Sequence, residues 1–173
     1  SVREEDLTAA ALGHVLDHHR VDLVIVGEPT ELKLGTAQKG RAGLILETRG
    51  RTAHTSRPEL GINAVYTMME AVARIRALPL PVDPELGPGV CELIEIASEP
   101  RPSPGMVPDR CTARFALRVL PGETAESLLP RIDGALRGLE GVSVRLVELE
   151  RRTHTGHSPV SYTHLRAHET VLD

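Results

Sequence analysis

From Arg110 to Leu120 the chain alternates: Cys111, Ala113, Phe115, Leu117 and Val119 are apolar, and Thr112, Arg114, Ala116 and Arg118 fall between them. A period of two predicts a half-buried antiparallel strand. Leu44 to Thr48, then Leu93, Ile94 and Ile96, then Val142, Val144 and Leu146 predict three more strands. Two stretches switch to helical spacing. Ile62, Val65, Tyr66, Met69, Val72 and Ala73 form one stripe, and Ala125, Leu128, Leu129, Ile132, Leu136 and Leu139 form another. Pro121-Gly122-Glu123 turns the chain into the second helix, and Gly141 is expected to end it. Residues 99–109 form a Pro-rich loop. The order is β-α-β-β-α-β, the split arrangement of ferredoxin-like domains, with two helices covering one sheet face. This is an α/β (α+β) fold class.

Ahead of this unit, Asp6 can cap a helix carrying Leu12, Val15 and Leu16, and Val21 to Val26 reads as a buried strand. The apolar run Val24-Ile25-Val26 ends in Gly27-Glu28-Pro29-Thr30. Ligands of open α/β sheets bind outside the carboxyl ends of the strands, so Glu28 is well placed for chemistry. Pro29 keeps it on a turn, because proline cannot continue a ladder and disfavours helix at the residue before it.

Composition narrows the classes. A net charge of −4 leaves no footprint for nucleic acid, and with one Phe and no Trp there is no platform for base stacking. No apolar run reaches the roughly 18 residues of a membrane span. Cys91 and Cys111 are too few for a disulfide framework and read as reduced core thiols of a cytoplasmic protein. Val160 to Asp173 reads as a translated sequencing adapter, so His164 and His168 are set aside as ligands, and His154 and His157 are taken as solvent-exposed.

The ordered set Glu4-Glu5, Gly27-Glu28-Pro29-Thr30, Gln38-Lys39-Gly40, Gly50-Arg51-Thr52-Ala53-His54-Thr55-Ser56-Arg57-Pro58 through Asn63-Ala64, and Val107-Pro108-Asp109-Arg110-Cys111 resembles the middle of the M20 metallopeptidases. That group holds acetylornithine deacetylase, succinyl-diaminopimelate desuccinylase, aminoacylase and carboxypeptidase G. The stretch from Gly50 to Ala64 is its most specific part. The resemblance implies a division into residues 1–38, a remnant of the catalytic domain; 39–150, a ferredoxin-like lid and dimerisation domain; 151–159, a return linker; and 160–173, the adapter segment.

It also implies roles. Glu4 would be the general base, and Glu5 and Glu28 would each hold one of two zinc ions, with cobalt or manganese as alternatives. His54 would reach the partner subunit's active site and polarise the scissile carbonyl. Asn63 would contact substrate, and Arg118 would fork onto a substrate carboxylate. Ala116 departs from the acid that many relatives place two residues before this arginine. The expected activity is cleavage of the amide bond of N-acyl amino acids or short peptides by a homodimer, with no nucleic-acid or membrane partner. Its surface would come from edge strands and the helix after Asn63. The family's His-x-Asp is absent from these residues, so the chain is expected to be an inactive fragment of the enzyme. Each residue also has an ordinary reading: Glu4-Glu5 at a helix start, His54 in an exposed loop, Asn63 as a helix cap, Arg118 as a solvated charge. The alternative is a non-catalytic ferredoxin-like module that dimerises or binds a small ligand.

Overall fold

The computed structural model describes residues 17–20, 39–101 and 105–147. Strand β1 (Gly40–Arg49) leads through a loop and a 3-10 turn (Pro58–Leu60) to helix α1 (Ala64–Arg76). A two-residue ribbon follows, β2 (Val82–Asp83) against β3 (Gly87–Pro88), then β4 (Val90–Glu99), β5 (Arg110–Val119), α2 (Ala125–Leu136) and β6 (Val142–Val147). The main sheet runs β4-β5-β1-β6 and every pairing is antiparallel. This is the ferredoxin-like order that the hydrophobic pattern predicts. The helix and strand expected within residues 1–38, together with Glu4, Glu5 and Glu28, lie outside the described residues.

One face of the sheet makes the core. Ala42, Leu44 and Leu46 of β1 and Cys111, Ala113, Phe115, Leu117 and Val119 of β5 are all buried under the helices. The β5 alternation is therefore read correctly, with Arg114 and Arg118 on the open face. Burial pushes the Cys91 and Cys111 thiols above their ordinary range, which keeps both protonated. Thr48 is fully buried, and its hydroxyl donates to the carbonyl of Ala64 at 2.7 Å, tying the end of β1 to the start of α1. The Arg74 guanidinium donates to the carbonyl of Arg137 at 3.0 Å, so a side chain from α1 caps the end of α2.

Three expectations need correction. First, the core face of α1 is Ala64, Met68, Ala71 and Ile75, spaced i, i+4, i+7 and i+11. Of the expected stripe, Val65 and Val72 are only half-buried, whereas Ile62, Tyr66, Met69 and Ala73 are exposed. The helix has two apolar stripes. The one with small alanines lets it lie close on the sheet, and the bulkier one is turned outward. Second, α2 ends at Leu136 rather than at Gly141, and Gly138 takes the left-handed conformation (φ 84°) just beyond it. Gly141 serves contact instead: its carbonyl accepts from the Arg49 N–H at 2.8 Å, and a Cβ there would lie 2.4 Å from the Arg49 oxygen. Third, the β2–β3 ribbon is unexpected. Proline and glycine mask any periodicity, and the turn is held by Asp83, whose carboxylate accepts from the N–H groups of Glu85 and Leu86.

Two further features bear on function. Gly43 of β1 pairs with Val147 of β6, so the chain enters β1 and leaves β6 at the same end of the sheet. Strand β4 is an edge, and a bulge between Leu93 and Glu95 turns Ile94 outward, 62% exposed.

Candidate functional site

At the opposite end of the sheet, the connection from β1 to α1 folds back on itself. Gly50 donates to the carbonyl of Asp109 at 2.7 Å, and Arg51 and Ile62 exchange backbone hydrogen bonds at 2.9 and 2.8 Å. The Arg51 guanidinium crosses the loop to the carbonyl of Leu60 at 3.0 Å. Proline at the first position of Pro58–Leu60 suits a helical turn whose first N–H needs no partner. Glycine is required where the strands of this loop meet: a Cβ on Gly50 would lie 2.0 Å from the Ile62 carbonyl oxygen. Gly50→Ala should therefore destabilise the domain by about 2 kcal/mol, the order seen for overpacking, read as a lowered denaturation midpoint. An unchanged midpoint would show that the loop can open without cost.

The loop is stitched to the segment before β5. The Val107 N–H donates to the carbonyl of Ala53 at 2.8 Å, and the Thr55 N–H donates to Gly105 at 3.2 Å. His54 pairs with Met106 as an isolated bridge. The Arg57 N–H closes a turn onto the His54 carbonyl at 2.8 Å. His54 stands exposed on this braced turn, and Ser56 meets its ring: Ser56 Oγ lies 2.8 Å from Nδ1, and the Ser56 N–H donates to Nδ1 at 3.2 Å. Ser56 and the Gly105–Val107 segment are the residues that sequence reasoning overlooked. A serine two residues after the histidine, with proline closing the turn, is the signal that could have found Ser56.

Asn63 caps α1. Its side-chain oxygen accepts from the Val65 N–H at 2.9 Å, so the ordinary reading of this residue holds, and any substrate contact would fall to Nδ2. Arg118 is exposed on the open face of β5, opposite Arg41 of β1 and Val90 of β4. Neighbouring arginines meet acids: Arg110 pairs with Glu99 at 3.4 Å and Arg114 with Glu95 at 3.9 Å. These are solvated pairs worth little in stability. Among the described residues no salt bridge is formed by Arg118.

The structure does not bring His54 and Arg118 together. His54 belongs to the end where Arg49 pairs with Arg110, and Arg118 to the end where Gly40 pairs with Val119. Nine residue steps along β5 separate these ends, about 31 Å at roughly 3.4 Å per residue. Among the described residues no group of three His, Cys, Asp or Glu could hold a metal ion, and no helix is long and apolar enough to cross a membrane.

Three similarities bear on this geometry. The chain is 30% identical over 136 residues to the Escherichia coli K12 protein YgeY, covering 76% of this chain and 34% of that protein. It is 48% identical over 54 residues to acetylornithine deacetylase of Pasteurella multocida, covering 31% of this chain and 14% of the deacetylase. Its fold superposes on the M20 family metallo-carboxypeptidase of Sulfolobus solfataricus with a TM-score of 0.50 at 12% identity, covering 74% of this chain and 47% of that one. The chain thus spans about a third of the length of YgeY and less of the deacetylase. Residues 36–141 match the peptidase dimerisation domain of the M20 group, a span that takes in the whole βαββα core and the stitched His54 loop, and the chain belongs to that family.

Proposed function

We propose that residues 39–150 are the lid and dimerisation domain of a homodimeric, divalent-metal amidohydrolase of the cytoplasm, and that residues 1–38 belong to its catalytic domain. The reaction is hydrolysis of the amide bond of an N-acyl amino acid or short peptide, with release of a free amine. The placement of His54 carries this reading. It stands on a braced turn about 31 Å along the sheet from the end where the chain enters and leaves the domain. A histidine so placed lies far from the end at which the chain enters and leaves the domain, and in this reading a second copy brings it to a substrate.

In this reading the Nε2–H of the partner's histidine donates to the amide oxygen as negative charge develops there. Arg118, at the end of the sheet where the chain enters the domain and without an acid opposite it, takes the substrate carboxylate. Glu4 takes the proton of the attacking water. The described residues do not assemble a metal site. The metal, zinc in our reading with cobalt or manganese as alternatives, goes with Glu5, Glu28 and ligands that the 173 residues lack. When bound it would supply an activated water and Lewis acidity.

The test is amine release by the full-length protein from a panel of N-acetyl and N-succinyl amino acids and dipeptides. We expect release that a chelator abolishes and zinc restores. No release from any member, with a dimeric mass retained, would favour the non-catalytic dimerising module.

A further inference from the structure

We infer that Ser56 is a positioning residue that sets the tautomer of His54, a role that rests on the reading of His54 as an oxyanion donor. The geometry decides which ring nitrogen carries the proton. A backbone N–H can only donate, and that of Ser56 is aimed at His54 Nδ1 at 3.2 Å. In the neutral imidazole Nδ1 must then hold the lone pair, and the proton sits on Nε2. The Ser56 hydroxyl, 2.8 Å from the same nitrogen, consequently donates to it rather than accepting from it. Two donors from one residue hold the ring from behind and leave Nε2–H as the outward-facing group.

The backbone around this pair is fixed independently of the side chains. Arg57 N–H closes the turn onto the His54 carbonyl, and Thr55 N–H is anchored to Gly105. Ser56 is therefore delivered to Nδ1 by the turn, and the ring has one neutral state in which both Ser56 donors meet an acceptor. An oxyanion needs a donor already aimed at it, and the wrong tautomer would present a lone pair to the developing charge. Ser56 prevents that without touching substrate.

The test has two arms. In 15N-labelled chain, with the His54 ring assigned by comparison with His54→Ala, Nδ1 should resonate as the unprotonated, pyridine-type nitrogen and Nε2 as the protonated, pyrrole-type one. In Ser56→Ala the protonated fraction at Nδ1 should rise, while Ser56→Thr keeps the wild-type pattern. A protonated Nδ1 in the wild-type chain overturns the proposal. In the full-length enzyme, Ser56→Ala should lower kcat about three- to tenfold with KM unchanged, the scale of one neutral hydrogen bond, and Ser56→Thr should restore it. A crippled His54→Ala beside an unimpaired Ser56→Ala overturns the positioning role alone. Full turnover by His54→Ala removes the reading of His54 and the role of Ser56 with it.

Discussion

His54→Ala in the full-length protein should lose turnover by about 100- to 1,000-fold, the cost of removing one preorganised oxyanion donor. Metal content should be unchanged, because His54 belongs to no group of donors that could hold an ion among the described residues. The folded domain should be unaffected as well, since the ring is exposed and its partner lies two residues away on the same turn. A sharper version tests the partner directly. A Glu4→Gln variant should also be inactive, because the proposed base can no longer take a proton. When the two variants are unfolded together and reassembled, mixed dimers should carry one competent site each, pairing an intact Glu4 with an intact partner histidine. Random assembly places half of the molecules in mixed dimers, so turnover should return to about a quarter of wild type. The expectation follows from the sheet, which puts His54 at the end of β1 and β5 opposite to the one where the chain enters and leaves the domain. No recovery in the mixture would mean that His54 serves its own protomer, and the placement argument would be wrong.

Lysine at both Tyr66 and Met69 should convert the dimer to a monomer. In the folded domain Tyr66 of α1 is 70% exposed and Met69 60%, and Leu60 and Ile62 in the segment before the helix are exposed as well. Helix α1 packs chiefly over β5 and β1 and also touches β4, an edge whose Ile94 and Ile96 are exposed. An apolar helix face beside a long edge strand is a surface suited to a partner. Two unpaired lysines in such a contact should weaken it about 100- to 1,000-fold, since each must be desolvated without a counter-charge. Light scattering should report the mass of one chain, with far-ultraviolet dichroism unchanged because neither side chain is part of the core. Amine release should fall with the dimer. A retained dimer mass would place the interface elsewhere, with the other edge, β6, as the next surface to vary.

How much of this was legible beforehand differs from element to element. The alternation from Cys111 to Val119 identified a strand, its buried face and the outward direction of Arg118, because a period of two leaves only two ways for a side chain to point. The order of strands and helices followed from short-range pattern, and ferredoxin-like pairing is the economical way to cover one sheet face with two helices. The Gly50 to Ala64 motif marked the segment of the proposed site, since glycine, proline and histidine at those intervals are punctuation that regular elements do not need. Helix α1 was misread because both of its stripes are apolar and periodicity alone cannot say which one meets the sheet. Close approach decided that, through Ala64 and Ala71. The contact of Ser56 with His54 was hard to read for a similar reason: two residues in a turn come together only when the backbone curls by a particular amount, and bonds to Gly105 and Val107, about fifty positions away, hold that curl. The chain by itself determined which residues alternate, which turns need glycine and which motif carries the family. Only the tertiary structure decided that His54 and Arg118 stand at opposite ends of the sheet and that a second apolar face is left outside. Such separations are set by how antiparallel strands fold back on one another, which no local pattern encodes.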